Sequence, residues 1–350
     1  MRSAFRYTSV LVILALLFMR GDAYAGGGNR LGTAGADQLL VPVGARGVAL
    51  GSSYLAGITG VDAIYYNPAG LSGSTLGAEV MFSQMSSFDN DGVSYLALGA
   101  NFSGFGHIGL SLKSFSFADI PITDERNPDG TGGVFTPTIF NIGLTYSRAL
   151  TDRIRAGVTA HLISETLNRV STTGMAFDIG VQYNGLAGAK GLELGVTLRH
   201  LGGNMSYEGP GLYRMVNEVS SDRTGQLLKI EAAGFQLPTS LELGLAYNHA
   251  FTEEHKVLVS GSFENNNFLV DQYRVAAEYG FRDMFFVRAS HTIAGNSGSD
   301  AFDKDAYIFG SSFGAGVKQD VSGLLLAFDY AYRSAETFNG NHVFTLKVGF

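Results

Sequence analysis

Histidine, hydroxyl and carboxylate side chains come close together at one place in the chain, where His161 is followed by Ser164 and Glu165. Such groups form a nucleophilic triad only when their side chains lie within hydrogen-bonding distance of one another. The surrounding residues are expected to form a β-strand, on which His161 and Ser164 face opposite sides. A triad assembled from different strands stays open, but nothing in the sequence points to one. We therefore predict that the protein is not an enzyme.

Metal, cofactor and nucleic-acid chemistry also find no support in the sequence. The 7 histidines lack metal-ligand spacing, and the absence of cysteine removes thiolate ligands, disulfides and a lipid-anchoring thiol. The glycine-rich piece 129–133 lacks the strand-to-helix context of a phosphate loop. The net charge of −7, without a basic patch interleaved with aromatics, argues against nucleic acid. We predict no metal, no cofactor and no nucleic-acid partner.

Charged residues of both signs recur on the polar side of otherwise apolar segments. We predict that they face an enclosed interior, where they pair with each other and with backbone, because a buried unpaired charge is costly. A minority could line a permeation path. The candidate interior polar residues are Arg155, His161, Glu193, Arg199, Glu242, Arg274, Glu278, Arg288, Asp329 and Arg333, and the same face carries Asp178, Glu264 and Lys347.

The elements that must position these residues are strands with one apolar face. In 153–165 and in 241–248, apolar and polar residues alternate with a period of two. The apolar face would be the core of a soluble sandwich, whereas in a membrane barrel it would face lipid. Strands of about ten residues or more favour the tilted membrane crossing. Small glycines on the polar face favour a crowded, plugged lumen.

The pattern predicts an all-β protein, a transmembrane antiparallel β-barrel of about 14 strands, the even number that bacterial single-chain barrels have. The predicted strands are 76–88, 92–101, 106–117, 139–149, 153–166, 173–183, 191–201, 237–249, 255–264, 270–280, 283–293, 308–318, 323–333 and 342–350.

The predicted connections differ in length according to the strand that they follow. Those after odd-numbered strands include the long ones, and those after even-numbered strands are brief. Long outer loops and tight periplasmic turns are typical of a barrel with both termini in the periplasm. The long connections are 118–138, 202–236, 294–307 and 334–341.

The last strand, 342–350, alternates and ends on an aromatic residue. It resembles the C-terminal assembly signal of outer-membrane barrels, carried here by Phe344, Leu346, Val348 and Phe350. The resemblance implies the barrel assembly machinery and outer-membrane lipid as partners.

The first residues have the three-part layout of a secretory signal peptide. Arg2 and Arg6 precede the apolar run Val10–Met19, and 23–25 (Ala-Tyr-Ala) supplies small residues for cleavage after Ala25. The run is shorter than the roughly 20 residues of a spanning helix. We predict export to the bacterial cell outer membrane, with 1–25 as signal peptide, 26–75 as an N-terminal hatch and 76–350 as the barrel.

The segment Leu39–Leu71 does not alternate like a strand and instead has the signals of short helices and turns. Asp62 could cap the following Ala-Ile-Tyr-Tyr run, and Asn67 followed by proline reads as a second cap. Small residues in 44–53 allow close packing of the backbone. We predict that this segment plugs the barrel.

Motifs in this segment resemble those of a known family. They are Gly44-Ala45-Arg46 and Asn67-Pro68-Ala69-Gly70-Leu71 after the signal peptide, with LPTSLELG at 237–244. Together they resemble the PorV/PorQ family, within the wider group of FadL-like, fourteen-stranded outer-membrane barrels with an N-terminal hatch. The resemblance covers essentially the whole mature chain.

The resemblance implies two alternative functions. PorV-like members assist type IX secretion by binding the C-terminal domains of secreted cargo and a secretion channel, whereas FadL-like relatives pass hydrophobic small molecules or lipid through a hatch-gated lumen. The connection 202–236 carries apolar anchors that suit protein contact, or equally a lid over the barrel mouth. We favour the secretion function, with hydrophobic uptake as the alternative. The anchors are Tyr207, Leu212, Tyr213 and Met215.

Overall fold

A computed structural model describes residues 33–86, 91–216, 225–266, 268, 270–294, 307–336 and 339–350. The predicted signal peptide and the first residues of the predicted hatch lie outside these ranges, so cleavage after Ala25 stays a prediction. Within the described ranges, no helix has the length and hydropathy needed to cross a bilayer.

Fourteen antiparallel strands form a closed barrel in which each strand pairs with the next and β1 pairs with β14. This confirms the predicted fold, and the closed sheet excludes a soluble sandwich. The strands are β1 (Ala78–Ser86), β2 (Gly92–Phe102), β3 (Gly106–Ser116), β4 (Thr138–Ala149), β5 (Ile154–Leu167), β6 (Val170–Asn184), β7 (Leu192–Gly202), β8 (Ser240–Ala250), β9 (His255–Asn266), β10 (Gln272–Phe281), β11 (Phe285–Ala294), β12 (Phe309–Val321), β13 (Leu324–Ala335) and β14 (Asn341–Gly349).

Apolar side chains cover the outside of the barrel, and polar ones point into its lumen. In β8, Leu241 and Leu243 are 41% and 43% exposed, whereas Glu242 between them is 1% exposed. Successive side chains of a strand point to opposite faces, so the period of two in the sequence becomes this separation. The arrangement is the reverse of a soluble protein, in which the apolar face forms the interior.

The two ends of the barrel differ in the length of their connections. At one end, called the loop end, the odd-numbered strands β3, β7, β11 and β13 finish, and in the sequence they are followed by the longer connections 117–137, 203–239, 295–308 and 336–340. At the other, called the turn end, most connections are tight, such as 103–105 and 322–323. β1 begins and β14 ends at the turn end, where the backbone N–H of Ala78 donates to the carbonyl of Phe350 at 3.0 Å.

The described chain begins at the opposite end from where it finishes. Ala34 pairs with Gln236, and Gly35 N–H donates to the carbonyl of Gln236 at 3.0 Å, both at the loop end. The first residues of the chain lie outside the described ranges, so the prediction that both termini lie in the periplasm stays a prediction. Within the described ranges, the segment before β1 crosses the whole lumen, from the loop end to the turn end.

This crossing segment, residues 33–77, is called the hatch. It contains two short α-helices, α1 (Ala45–Ala49) and α2 (Ala63–Tyr66), and three 3₁₀ turns, at Asp37–Leu40, Gly60–Asp62 and Pro68–Gly73. These elements pack against the inner wall of the barrel on several sides, most extensively against β4, β5, β6 and β12 to β14. The predicted plug of short helices and turns is thus present.

One of the two predicted helix caps is wrong. The Asp62 side chain makes no cap hydrogen bond, because the 3₁₀ turn before it runs directly into α2 and Asp62 is itself helical. Its carboxylate instead accepts from Lys347 at 2.6 Å. The other cap forms as expected, with Asn67 Oδ1 accepting from Ala69 N–H at 3.2 Å and Pro68 in the first helical turn.

Candidate functional site

Asn67 joins three separate pieces of backbone inside the lumen. Its side-chain Nδ2 donates to the carbonyls of Leu55 at 3.0 Å and Val181 at 3.2 Å, while its Oδ1 caps the turn that contains Ala69. The residue is fully buried. The first contact closes a loop of the hatch, and the second fixes that loop to β6 of the wall.

The rest of this motif lies against glycines of the wall. A Cβ at Gly157 of β5 would overlap the backbone of Pro68, and Gly180 of β6 approaches Asn67 as closely. The Ser147 hydroxyl of β4 donates to the carbonyl of Ala69 at 2.9 Å. Gly70 is likewise packed without space for a Cβ, and Leu71 contacts two further wall glycines. The hatch therefore approaches β4 to β6 closely enough for backbone-to-backbone contact.

The other motif, Gly44-Ala45-Arg46, lies at the start of α1 and contacts the opposite side of the barrel. Gly44 has a φ of 77°, in the left-handed region that favours glycine. Ala45 N–H donates to Thr345 Oγ1 of β14 at 2.8 Å. Arg46 donates to both oxygens of Glu278 in β10, at 3.1 and 2.9 Å.

Arg46 is the first member of a chain of alternating charges that connects the hatch to the wall. Two members, at its ends, belong to the hatch, and four belong to strands β10, β11, β13 and β14. We call it the ion-pair chain, and its order is Arg46, Glu278, Arg288, Asp329, Lys347, Asp62.

The spacing within the ion-pair chain is short. Arg288 bonds Glu278 and also Asp329, the latter at 2.6 Å, and Lys347 lies 3.6 Å from Asp329. All four wall members are largely buried. Because each interior member contacts two opposite charges, none of these buried charges is left uncompensated.

A second cluster of charges lies on the wall itself. Arg199 of β7 donates to Glu242 of β8 at 2.9 Å, and Arg274 of β10 reaches both Glu242, at 3.5 Å, and Glu264. The Arg199 guanidinium also stacks 4.4 Å from the ring centre of hatch Tyr65. This cluster therefore contacts the hatch through an aromatic face and not through an ion pair.

The remaining candidate interior residues have other partners. His161 Nε2 lies 2.9 Å from Asp178 Oδ2, which leaves this histidine paired with a carboxylate of the neighbouring strand. Asn248 donates to Glu193 at 3.0 Å, and Arg155 Nη1 lies 3.5 Å from Gln182. Arg333 donates to the Tyr307 hydroxyl at 2.9 Å and stacks on Phe309. Within the described ranges, Arg155, Glu193 and Arg333 form no ion pair.

The loop end of the lumen is covered by the start of the hatch and by part of the long connection after β7. Gln38 and Tyr207 both donate to Glu165 of β5. Burial and the Glu165 carboxylate raise the pKa of the Tyr207 phenol, which therefore stays protonated as the donor. Met205, Leu237 and Leu39 pack together in the same layer. This cover is the lid that the sequence analysis left open as an alternative.

The four apolar anchors of this connection therefore separate into two groups. Tyr207 points inward to Glu165, and Leu212 is half-buried. Tyr213 and Met215 are 43% and 73% exposed on a two-stranded hairpin, Tyr213–Val216 with Gln226–Lys229. Only the hairpin residues are available to a partner.

The proposed assembly-signal residues lie on the outer surface of the last strand. Phe344, Leu346 and Phe350 are exposed, and Val348 is half-buried. They belong to the apolar outer face of the barrel, beside exposed side chains of β1 and β13 such as Phe82 and Phe328.

Two cavities that border the hatch have mixed walls, in which charged side chains lie beside apolar ones. A cavity of about 600 Å³ lies at the turn end, where all six members of the ion-pair chain line it. A much smaller one, of about 20 Å³, lies between α2 and strands β2 to β7. The described residues contain no group of three or more His, Asp or Glu side chains that could hold a metal ion.

The sequence did not reveal the contacts of two interior residues, Lys113 and Glu165. Lys113 of β3 is buried, and its Nζ donates to the carbonyls of Leu39 at 3.4 Å and Val41 at 2.9 Å. Its alternation with exposed Leu112 was a usable signal for the lumen face. The role of Glu165 as acceptor for the lid had no signal in the sequence.

Comparison with known proteins finds similarity in structure only. No protein-family model matches the sequence, and no curated protein matches it. The chain is similar to the CymD monoaromatic hydrocarbon channel, with a TM-score of 0.55 and 13% identity over 89% of this chain and 98% of that one. It is similar to the Pseudomonas putida toluene transporter TodX, with a TM-score of 0.52 and 12% identity over 86% of this chain and 96% of that one. It is also similar to a Pseudomonas aeruginosa FadL homologue, with a TM-score of 0.51 and 14% identity over 89% of this chain and 98% of that one. The fold is therefore that of FadL-like barrels.

Proposed function

We propose that the protein is an outer-membrane channel for hydrophobic small molecules, closed by its hatch in the state described. The observation that carries the proposal is the hatch itself, which crosses the lumen from end to end and is held there by noncovalent contacts. The fold shared with hydrocarbon channels over nearly their whole length supports this function. The apolar outer face of the barrel supports its insertion in the outer membrane, with lipid as a partner.

Passage through this channel requires the hatch to move. The larger cavity combines the ion-pair chain with apolar residues such as Leu258 and Phe286, and the smaller one, of about 20 Å³, has no room for a hydrocarbon. The contacts differ around the hatch: its backbone packs on glycines of β4–β6, whereas towards β10–β14 the ion-pair chain adds to the packing of α1 on β12–β14. Ion pairs can exchange for water at the cavity of the turn end, so we place the moving side there.

Uptake of a monoaromatic hydrocarbon tests the proposal. Cells that lack the protein are compared with cells that produce it, using radiolabelled toluene at low concentration and a labelled disaccharide as the polar control. We expect faster toluene uptake with the protein and unchanged disaccharide uptake. Equal toluene uptake in both strains would refute the channel for this class of molecule.

A second candidate is the type IX secretion function that the resemblance to PorV/PorQ implies. The observation in its favour is the exposed hairpin, whose apolar Met215 and Leu227 face solvent at the loop end. Such residues suit contact with a protein partner.

Purification of the tagged protein from outer membranes in mild detergent distinguishes the two candidates. Co-purification of exported proteins that share a C-terminal domain, or of a large secretion barrel, would favour secretion. The substitution Met215→Ser should then weaken their recovery. A barrel that elutes with hydrophobic small molecules and without such proteins would favour the channel.

A further inference from the structure

The cavity of about 20 Å³ is enclosed by side chains from six successive strands and from the hatch. It lies apart from the ion-pair chain, on the side of the barrel where the hatch is packed most closely. Nearly all of its walls are buried. The lining residues are Leu39, Ile64 and Tyr65 of the hatch with Tyr95, Ser111, Lys113, Asn141, His161, Asp178, Arg199 and His200 of the wall.

Three of the lining residues carry buried polar atoms without a hydrogen-bond partner among the described residues. They are both side-chain atoms of the Asn141 amide, Nε and Nη2 of Arg199 and the hydroxyl of Tyr95. Asn141 is 4% exposed and Arg199 is 5% exposed. Buried polar groups nearly always have a partner, and several orphans around one cavity indicate an occupant.

The chemistry of these orphan atoms indicates which occupant. Arginine nitrogens only donate, the Asn141 amide nitrogen donates, and the Tyr95 hydroxyl can donate, so donors outnumber acceptors. The one carboxylate of the lining is already engaged, since Asp178 Oδ1 accepts from His200 N–H at 2.7 Å and Oδ2 faces His161 at 2.9 Å. A water molecule can accept only two of these hydrogen bonds, whereas an anion can accept all of them.

Two basic side chains, Lys113 and Arg199, border the cavity. Lys113 takes part in no ion pair within the described ranges, because its Nζ donates to two hatch carbonyls. Arg199 uses only Nη1 for Glu242. The Arg199 guanidinium therefore keeps donor nitrogens for an occupant of this space.

We propose that this cavity binds one halide ion, with Asn141, Arg199 and Tyr95 as donors. A void needs roughly 10–15 Å³ to hold a water-sized occupant, so this cavity admits a single atom and excludes phosphate or sulfate. The site goes beyond the proposed function and does not depend on what the barrel transports.

Crystals grown with sodium bromide in place of chloride test the site directly. The expected result is an anomalous bromine peak inside the cavity, within hydrogen-bonding distance of Asn141 and Arg199. Density without anomalous signal there would identify a water molecule and overturn the proposal. Bromine peaks confined to the surface would overturn it as well.

A stability measurement gives an independent test in detergent solution. Thermal unfolding is compared in sodium bromide and in sodium gluconate at equal ionic strength, for the wild type, Asn141→Leu and Tyr95→Phe. The control is Ser262→Ala, because its buried hydroxyl is also unpartnered but lies outside this cavity. We expect a saturable rise of Tm with bromide in wild type and control, and loss of that rise in the two cavity variants. The same rise in all four proteins would overturn the proposal.

Discussion

Asn67 is the residue on which the position of the hatch depends most directly. A segment without regular secondary structure has many backbone groups that need partners when it is buried. Asn67 supplies three such bonds, to Leu55, Val181 and Ala69, from a fully buried position. Only an amide can donate to two carbonyls and accept from an N–H at the same time.

Replacement of Asn67 by leucine leaves the carbonyls of Leu55 and Val181 without this donor. We expect a loss of at least about 1–3 kcal/mol in the free energy of unfolding, the range for one unsatisfied buried group, because the Ala69 N–H loses its acceptor while the Leu55 carbonyl keeps Gln182 Nε2 as a donor at 3.1 Å. Urea unfolding in detergent micelles measures it. The matched control, Asn101→Leu at the exposed end of β2, should change little. Equal effects of the two substitutions would contradict the role assigned to Asn67.

The sequence predicted the contact of Asn67 with its chain neighbour Ala69, but not its contact with distant Val181. An asparagine before a proline is a helix-start signal that depends on neighbours only, and the cap is present. The bond to Val181 joins residues 114 positions apart, and Arg46 meets Glu278 across 232 positions. Such pairs depend on how the hatch is placed in the barrel, which no local pattern encodes.

Among the elements, the hatch and the wall strands meet in two physically different ways. Along β4 to β6, glycines of the wall let the hatch backbone approach closely, as Gly157 does beside Pro68. Along β10 to β14, the ion-pair chain bridges the space beside the cavity of the turn end, in addition to the packing of α1 on β12 to β14. The first contact is insensitive to charge and the second depends on it.

Gly157→Ala should displace the hatch from the wall, because the added methyl group would overlap the Pro68 backbone. We expect faster hydrogen–deuterium exchange in 55–71 and a loss of about 1–3 kcal/mol, as is typical of overpacking. Gly261→Ala is the control, since its Cβ would lie 3.6 Å from the nearest atom, the carbonyl oxygen of Arg274. Unchanged exchange in Gly157→Ala would contradict the close packing described for this contact.

The bond between Asp62 and Lys347 can be tested by a double-mutant cycle. Lys347→Met leaves Asp62 buried without a partner, which should cost about 3–5 kcal/mol. Asp62→Asn alone should cost less, because Lys347 keeps Asp329 at 3.6 Å. Urea unfolding of both single variants and the double variant should give a coupling of roughly 0.5–3 kcal/mol. Additive effects would show that the two side chains do not interact.

The sequence predicted the bounds of the strands far better than those of the short helices and turns in the hatch. Alternation over about ten residues is a strong local signal, and the predicted strand 255–264 differs from β9 by two residues at one end. Asp62 was assigned as a cap because the 3₁₀ turn before α2 has no sequence signature. Its true partner, Lys347, lies on the last strand.

At the scale of the whole molecule, the chain is a barrel closed twice, by the hatch along its axis and by the lid at the loop end. The even strand number was predictable because a closed antiparallel sheet requires it, and the alternation of long and short connections was predictable because outer-membrane barrels have long outer loops and short periplasmic turns. The entry of the hatch at the loop end was not, since nothing local records which end the N-terminal segment comes from. The proposed channel depends on this segment being movable.

A reversible covalent lock on the hatch tests that claim most directly. Ser53 of the hatch and Ser260 of β9 have their hydroxyl oxygens 2.7 Å apart, and the sequence contains 0 cysteines. A disulfide brings its two sulfur atoms to about 2.05 Å, so with hydroxyls already this close we expect Ser53→Cys with Ser260→Cys to oxidise. The matched control is Thr145→Cys with Thr159→Cys, whose hydroxyls are 2.8 Å apart on neighbouring wall strands.

The measurement is toluene uptake by cells that carry each pair, before and after reduction of the disulfide. If the hatch gates the channel, the oxidised Ser53–Ser260 pair abolishes uptake and reduction restores it, while the wall pair behaves as wild type in both states. Uptake at the wild-type rate through a barrel whose hatch is demonstrably cross-linked would contradict the account.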